Sequence, residues 1–348
     1  MRAVQIISFD GPDGLRAVDA PRPTPRADQV LVRVVHCGVN PVDRSQASGR
    51  WPWLTLPHIP GSEISGIVEE AGALAGHFQP GQRVVIAFRV FCGRCHYCLR
   101  GREEACNADP RSANAPIMVG LPSEGGYAEY VLAPAQNILK IPDGVANDAA
   151  CAAVLDGATA WHETDRAGVG PGDHVLVTGA TGGLGTFFIQ IAKLRGATVY
   201  AVTGRPETAD HLRSLGADAV IDRKREDVAQ RARALTAGRG VDVVLDSTGA
   251  GMFGTNMQAL APLGRLAICG ILTGAEAQLN LAPFYAQQQQ VIGSTGGSRR
   301  DLEALLEAIA RGRVQPVIWR HYPLEQAAEA MRSLQDTERF GKVVLDVD

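Results

Sequence analysis

Four cysteines, Cys92, Cys95, Cys98 and Cys106, stand in the spacing Cys-x2-Cys-x2-Cys-x7-Cys. Thiolates so placed can surround one tetrahedral Zn2+, and Gly93 and Gly101 permit the turns between them. The segment is poor in apolar residues, so metal binding would supply its folding energy. A four-thiolate site is closed, which makes the ion structural and leaves it no open position for chemistry. An iron–sulfur cluster is the alternative by ligand type. The other cysteines, Cys37, Cys151 and Cys269, read as small buried hydrophobes. The total of seven is odd and clustered, unlike a disulfide framework.

A second stretch points to a nucleotide. Val175–Gly185 reads V-L-V-T-G-A-T-G-G-L-G. Val175, Leu176 and Val177 form a buried-type strand. Leu184, Phe187, Phe188 and Ile191 then recur at helical spacing. In a strand–turn–helix context Gly182 and Gly185 let the backbone approach a pyrophosphate. The helix that begins there aims free N–H groups at the phosphates. Ala180 takes the place of the first glycine of G-x-G-x-x-G, and Thr181, Gly183 and Leu184 complete the cofactor-binding turn.

These groups need elements to hold them. Residues 1 to about 140 alternate short apolar runs with Pro and Gly punctuation: Val30–Val35, Ile64–Glu69, Arg83–Phe88, Tyr127–Val131 and Asn137–Ile141. That spacing predicts a small barrel or sandwich. A helical linker, Ala149–Trp161, follows, with Asn147 or Asp148 as its cap. Strands then alternate with helices. The strand candidates are His174–Val177, Thr198–Val202, Ala219–Ile221, Val241–Leu245, Arg265–Cys269 and Gln290–Ile292. Alternation of this kind predicts a doubly wound parallel sheet. Two amphipathic helices, one carrying Leu302, Leu305, Leu306 and Ile309 and the other Ala327, Ala328, Met331 and Leu334, precede a strand at Gly341–Leu345. The expected division is residues 1–158 with the cysteine lobe at 88–107, a dinucleotide-binding domain at 159–294, and a return of 295–348 to the first domain. A net charge of −3 argues against nucleic acid or an anionic membrane as partner. No apolar run approaches the ~18 residues of a membrane span. Met1–Phe9 lacks a signal-peptide layout, so a cytoplasmic enzyme acting on a small molecule is expected.

In this order the chain resembles the medium-chain dehydrogenase/reductase superfamily of zinc alcohol dehydrogenases and quinone oxidoreductases. The resemblance spans essentially the whole chain. It is carried by C-G-V-N-P-V-D (Cys37–Asp43), P-H-I-P-G-S-E-I-S-G (Pro57–Gly66), P-G-Q-R-V (Pro80–Val84), the cysteine lobe, G-G-Y-A-E-Y (Gly125–Tyr130) and the glycine turn. It implies an α/β chain with a discontinuous GroES-like β-rich catalytic domain and a Rossmann cofactor domain. It also implies a homodimer or homotetramer. Where zinc alcohol dehydrogenases carry their catalytic-zinc ligands, this sequence has Asn40, Ser62 and Leu155. Glu63 and Asp156 are the nearby carboxylates, and together they would be a poor zinc site. The signatures G-V-N-P-V-D and G-S-E are similar to the quinone oxidoreductase branch. The retained zinc lobe is similar to that of acryloyl-CoA-type reductases.

The resemblance places the ribose-reading position at Thr203, followed by Gly204 and Arg205. A hydroxyl and a guanidinium suit a 2′-phosphate, so NADPH is expected, with NADH as the alternative. Lys193 or Arg223 would assist. Ser247 and Thr248 line the adenosine side, and Thr159 matches the family's nicotinamide-contacting threonine. The first functional expectation is NADPH-dependent hydride transfer to an activated double bond of a quinone, enone or enoyl thioester without a catalytic zinc. Asn40 and Ser62 would stabilise the developing oxyanion. Trp51, Trp53, Leu54, Leu56 and His58 would wall the substrate pocket. The alternatives are a zinc-type alcohol dehydrogenase or carbonyl reductase, and a non-catalytic NADPH-binding protein.

Overall fold

The strands of the first 140 residues are β1 (Arg2–Ile6), β2 (Leu15–Asp19), β3 (Gln29–Val39), β4 (Glu63–Ala71), β5 (Arg83–Ile86), β6 (Tyr130–Pro134) and β7 (Ile138–Lys140). Six more, β8 (His174–Thr178), β9 (Thr198–Thr203), β10 (Ala219–Asp222), β11 (Val241–Asp246), β12 (Leu260–Ile268) and β13 (Gln290–Gly293), alternate with helices. The chain closes with β14 (Ile318–Pro323) and β15 (Lys342–Asp346). The computed structural model describes residues 1–113 and 117–348. Two compact units result. One comprises Met1–Leu155, Ser298–Arg311 and Val317–Asp348; the other comprises Asp156–Gly297 and Gly312–Pro316.

β3 organises the first unit. Its eleven residues are long enough to take two partners in succession on one edge. Gln29–Arg33 pairs with β6, and His36–Val39 pairs with β15, both antiparallel. The sheet runs β14-β15-β3-β4-β5-β7 with β6 off this path. Val30, Val32, Val34 and Cys37 enter a common apolar core with Ile64, Val84, Tyr127 and Val343. Such a core is the dominant favourable term for a sheet that buries one face. Helix α1 (Pro41–Ala47) follows β3 directly, with Pro41 at its first position, where a missing N–H costs nothing. Pattern reading passed over it, because seven residues carry too little periodicity.

The second unit is a six-stranded parallel sheet ordered β10-β9-β8-β11-β12-β13. This is the doubly wound dinucleotide arrangement, with the topological switch between β8 and β11. Val175–Val177 and Val243–Leu245 are fully buried, which is why these central strands read as unbroken apolar runs.

Two local expectations shift. The run beginning at Tyr127 enters the sheet only at Tyr130, because the Tyr127 carbonyl accepts from Val4 N–H and Ala128 bridges Ala3. The linker is not one helix: α2 (Asn147–Ala152) passes through a π-helical turn, Ala153–Gly157, into α3 (Ala158–Arg166). Its cap is Ala146, with no side-chain hydrogen bond, in place of Asn147 or Asp148. No helix among the described residues is long and apolar enough to cross a membrane.

Candidate active site and metal centre

Asn40 directly follows β3 and caps α1, and its backbone N–H donates to the Asp43 carboxylate at 2.8 Å. Ser62 and Glu63 lie at the start of β4, paired with the same end of β3. Lys342 opens β15, on the other side of β3. The topology therefore gathers Asn40, Glu63 and Lys342 at the ends of three adjacent strands, all essentially buried. The Lys342 ammonium lies 2.6 Å from Glu63 Oε2 and donates to Asn40 Oδ1 at 2.7 Å. Asn40 Nδ2 donates to the same Glu63 oxygen at 3.0 Å. The second carboxylate oxygen accepts from Leu155 N–H at 3.1 Å, in the π-helical turn. Such a turn leaves N–H groups outside the ordinary helical ladder. Any side chain at Gly38 would collide with the Glu63 carboxylate, so glycine is required there.

This geometry revises the role expected of Asn40. Its amide carbonyl and its NH2 are both engaged within the protein, so it positions the Glu63–Lys342 pair. Ser62 differs. Its hydroxyl is buried and has no hydrogen-bond partner among the described residues. An unpaired buried hydroxyl costs free energy unless a ligand or water meets it. Asp43 is pushed up to about 7, chiefly by burial, with the Asn40 N–H and the Lys342 charge opposing.

A catalytic zinc of the kind the family resemblance implies needs thiolate or imidazole donors. Asn40, Ser62 and Leu155 offer an amide, a hydroxyl and a hydrocarbon, and an ammonium already neutralises the nearest carboxylate. The donor set at this position does not fit the ion. Among the substrate-pocket residues, Leu54 is buried and Trp51 nearly so, while Arg111 stacks on Trp53 at 5.4 Å. His58 is buried and held by the backbone. Its Nε2 lies 3.0 Å from the Gly120 carbonyl, and burial holds its basicity down.

The cysteine lobe does fit its metal. The four Sγ atoms lie within 4.8 Å of one another. Cys95 and Cys98 are 3.5 Å apart, Cys95 and Cys106 3.9 Å, Cys92 and Cys98 4.0 Å. A tetrahedron of ~2.3 Å zinc–sulfur bonds has edges of about 3.8 Å. Backbone N–H groups of Arg94 and Cys95 already point at Cys92 Sγ. N–H donation, chiefly from Cys98, lowers Cys95 to about 6, whereas burial pushes Cys98 up to about 12.

In the second unit the glycine turn links β8 to helix α4 (Gly183–Leu194), with Gly182 as its cap. Gly179 is left-handed at φ +66°, and a Cβ there would strike Ser247 Oγ. A Cβ at Gly185 would strike the Gly179 carbonyl, so this glycine sets the close helix–strand approach. Ala180 is buried; Thr181, Gly182 and Leu184 are half-buried. Thr159 is buried on α3. Ser247 donates to the Thr178 carbonyl at 3.3 Å, and Thr248 to Asp246 at 2.6 Å. Thr203 spends its hydroxyl on Arg205 N–H at 3.0 Å and on Thr208 at 3.1 Å. Lys193 is ion-paired with Asp218 at 2.9 Å. Arg223 borders Gly204.

Sequence reasoning missed Lys342. A lysine heading the apolar run K-V-V-L-D was the available signal, but nothing local named its partners.

Residues 26–143 match the alcohol dehydrogenase GroES-like domain, and residues 183–311 match the zinc-binding dehydrogenase domain. An alcohol dehydrogenase of Geobacillus stearothermophilus is 33% identical over 100% of both chains. An NAD-dependent alcohol dehydrogenase of Sulfurisphaera tokodaii is 30% identical over 99% of both. A crystal structure of an NAD-dependent alcohol dehydrogenase superposes with TM-score 0.94 at 38% identity, covering 100% of both chains. These full-length relatives overturn the first functional expectation. The NADPH-dependent, zinc-independent reductase of activated double bonds gives way to the alcohol–carbonyl alternative, and the quinone oxidoreductase branch is not supported. Nor is a preference for NADP. The GroES-like and Rossmann-type architecture, the oxidoreductase class and the thiolate zinc cluster stand. The chain belongs to the zinc-binding alcohol dehydrogenase family of medium-chain dehydrogenases.

Proposed function

We propose that this enzyme interconverts a small alcohol and its aldehyde or ketone with NAD+ and NADH. The observation that carries the reading is likeness to alcohol dehydrogenases over the full length of the chain. In the reaction, hydride leaves the carbinol carbon for the nicotinamide ring and the hydroxyl proton is released. The glycine turn at Ala180–Gly185 and Thr159 bind the cofactor. Ser62 donates to the substrate oxygen, supported by its buried and unpartnered hydroxyl. Asn40, Glu63 and Lys342 hold a fixed, internally neutralised floor beside it. Trp51 and Leu54 provide the apolar wall. The thiolate zinc of Cys92, Cys95, Cys98 and Cys106, when bound, supplies folding energy to its lobe. The first unit serves as the catalytic domain and the second as the cofactor domain.

NAD is assigned because two of the named relatives are NAD-dependent alcohol dehydrogenases. Without a carboxylate at Thr203, and with Arg223 beside Gly204, discrimination against NADP is weak in this reading. A homo-oligomer is also part of the proposal. It is supported by the family's habit of assembly and by the exposure of Leu263, Leu272, Leu281 and Tyr285 on the cofactor unit.

The test is a panel of primary and secondary alcohols with NAD+, and of aldehydes and ketones with NADH, followed by cofactor absorbance. Turnover within either set is expected. Turnover confined to conjugated alkenes, or none at all, would overturn the proposal.

A further inference from the structure

Three neighbouring strands carry a second cluster that the reaction does not use. Asp346 on β15 pairs directly with His36 on β3, and His321 lies on β14, the strand beyond. His36 Nδ1 is 2.9 Å and His321 Nδ1 is 2.7 Å from the same Asp346 oxygen. The two imidazoles meet edge to face at 5.7 Å. All three ligand atoms fall within 4.8 Å of one another. On the far side of His321, Nε2 lies 3.7 Å from Asp148 Oδ2 on α2.

We propose that His36, His321 and Asp346 form a divalent-cation site for Zn2+, distinct from the four-cysteine lobe, with Asp148 orienting His321. Two imidazole nitrogens and one carboxylate are a common zinc donor set, and they leave a fourth position for water. The partly exposed side chains, 19% for His36 and 36% for His321, give that water and the entering ion a path. As the ion binds, each imidazole presents its Nδ1 lone pair and keeps its hydrogen on Nε2. Asp148 favours that tautomer at His321, the carboxylate–histidine–zinc arrangement.

The cluster is wired to the pocket floor by position. His36, on β3, precedes Asn40 at that strand's end by four residues, and Asp346 follows Lys342 by four on the antiparallel β15. At strand rise the two clusters are roughly 13 Å apart. Helix α2 packs over this sheet and carries both Asp148 and Cys151, whose thiol reaches the Glu63 carbonyl at 3.2 Å. An ion at the histidines ties β14, β15 and β3 together and fixes the strand that delivers Lys342 to Glu63.

The test is calorimetric titration of Zn2+ into the full-length protein with its cysteine-bound zinc retained, alongside thermal unfolding. One added zinc per chain and a higher Tm are expected. Both should vanish in H36A and in H321A, and both should survive in S62A and N40A. D148N should weaken the added zinc by roughly 10- to 100-fold. Circular dichroism of H36A and H321A without added zinc, matching the parent, guards against misfolding as the cause. No uptake of added zinc would overturn the proposal. So would uptake that persists in the H36A/H321A double variant, or uptake lost in N40A, which would place the ion at the pocket floor.

Discussion

The cysteine lobe and the buried Asn40–Glu63–Lys342 cluster, the proposed pocket floor, solve the same electrostatic problem in opposite ways. In the lobe, four sulfur atoms converge with only a few N–H groups to support negative charge, and an external cation completes them. At the floor, one buried carboxylate meets a cation supplied by the chain itself, Lys342, with Asn40 bridging the two. A lobe completed from outside can be emptied by a chelator. A floor completed from within changes only by mutation. The difference teaches that likeness to a metal-binding family does not by itself fix which of its sites keep the metal's charge on the metal.

The largest effect that could break this contrast lies in the lobe. Replacing Cys98 by Ser should reduce cysteine-bound zinc from about one per chain to a small fraction and open the segment to protease, since structural zinc contributes on the order of 10 kcal/mol to such folds. Elemental analysis and limited proteolysis read this directly; a lobe that keeps its zinc and its resistance would mean the sulfur cluster is not the ligand set. Next, Lys342→Met leaves the Glu63 charge buried without its counter-ion, at a cost of ~3–5 kcal/mol. Adding Glu63→Gln should recover most of that loss. Urea midpoints for the two variants give the answer, and a cost below ~1 kcal/mol for Lys342→Met would show the pair is not what holds the floor.

Ser62→Ala should lower turnover of the best alcohol by about 100-fold, or ~2.7 kcal/mol, with NAD affinity unchanged. An unaltered kcat removes Ser62 from the oxygen-contacting role. Asp43 sharpens the comparison through pH. Its folded pKa of about 7 lies above the unfolded aspartate value, so the folded protein holds the extra proton between about pH 4 and 7. Stability from this group is therefore full below that window and declines as pH rises through it. Asp43→Asn should flatten the decline, measured as the difference in urea midpoint between pH 5 and pH 8. The smallest effect concerns the cofactor: NADH should exceed NADPH in kcat/KM by less than about 100-fold, and Arg223→Ala should widen the gap about 10-fold through loss of a phosphate-facing cation. Steady-state kinetics with both cofactors suffice.

Much of the architecture was legible because it is written in local pattern. Apolar runs at Val175–Val177 and Val241–Leu245 announced doubly buried parallel strands, and Cys92–Cys106 announced a sulfur cluster by spacing alone. The proposed site was legible only by half. Asn40, Ser62 and Glu63 lie close in sequence and stood out against the family pattern. What neutralises Glu63 did not, because Lys342 is 302 residues from Asn40, and only the pairing of β15 with β3 brings it near. For the same reason the amide of Asn40 read as an available donor, when both its ends are engaged inside the protein. His36, His321 and Asp346 were invisible as a group until three strands were aligned. The substrate class was not legible in the departures at Asn40, Ser62 and Leu155, because three positions say less about the reaction than the kinship of the whole chain.

The long interval between Asn40 and Lys342 also has a temporal side. At ~5–20 residues per second, a ribosome adds the lysine roughly 15 to 60 s after the asparagine. Throughout that time the nascent first unit possesses the acidic half of its floor and lacks the basic half. Glu63 must stay wet, or protonated, until its counter-charge arrives. Assembly of the β3–β4 end is thus deferred to the close of the unit's own synthesis, and a chain interrupted ahead of Lys342 carries an unneutralised carboxylate for quality control to find.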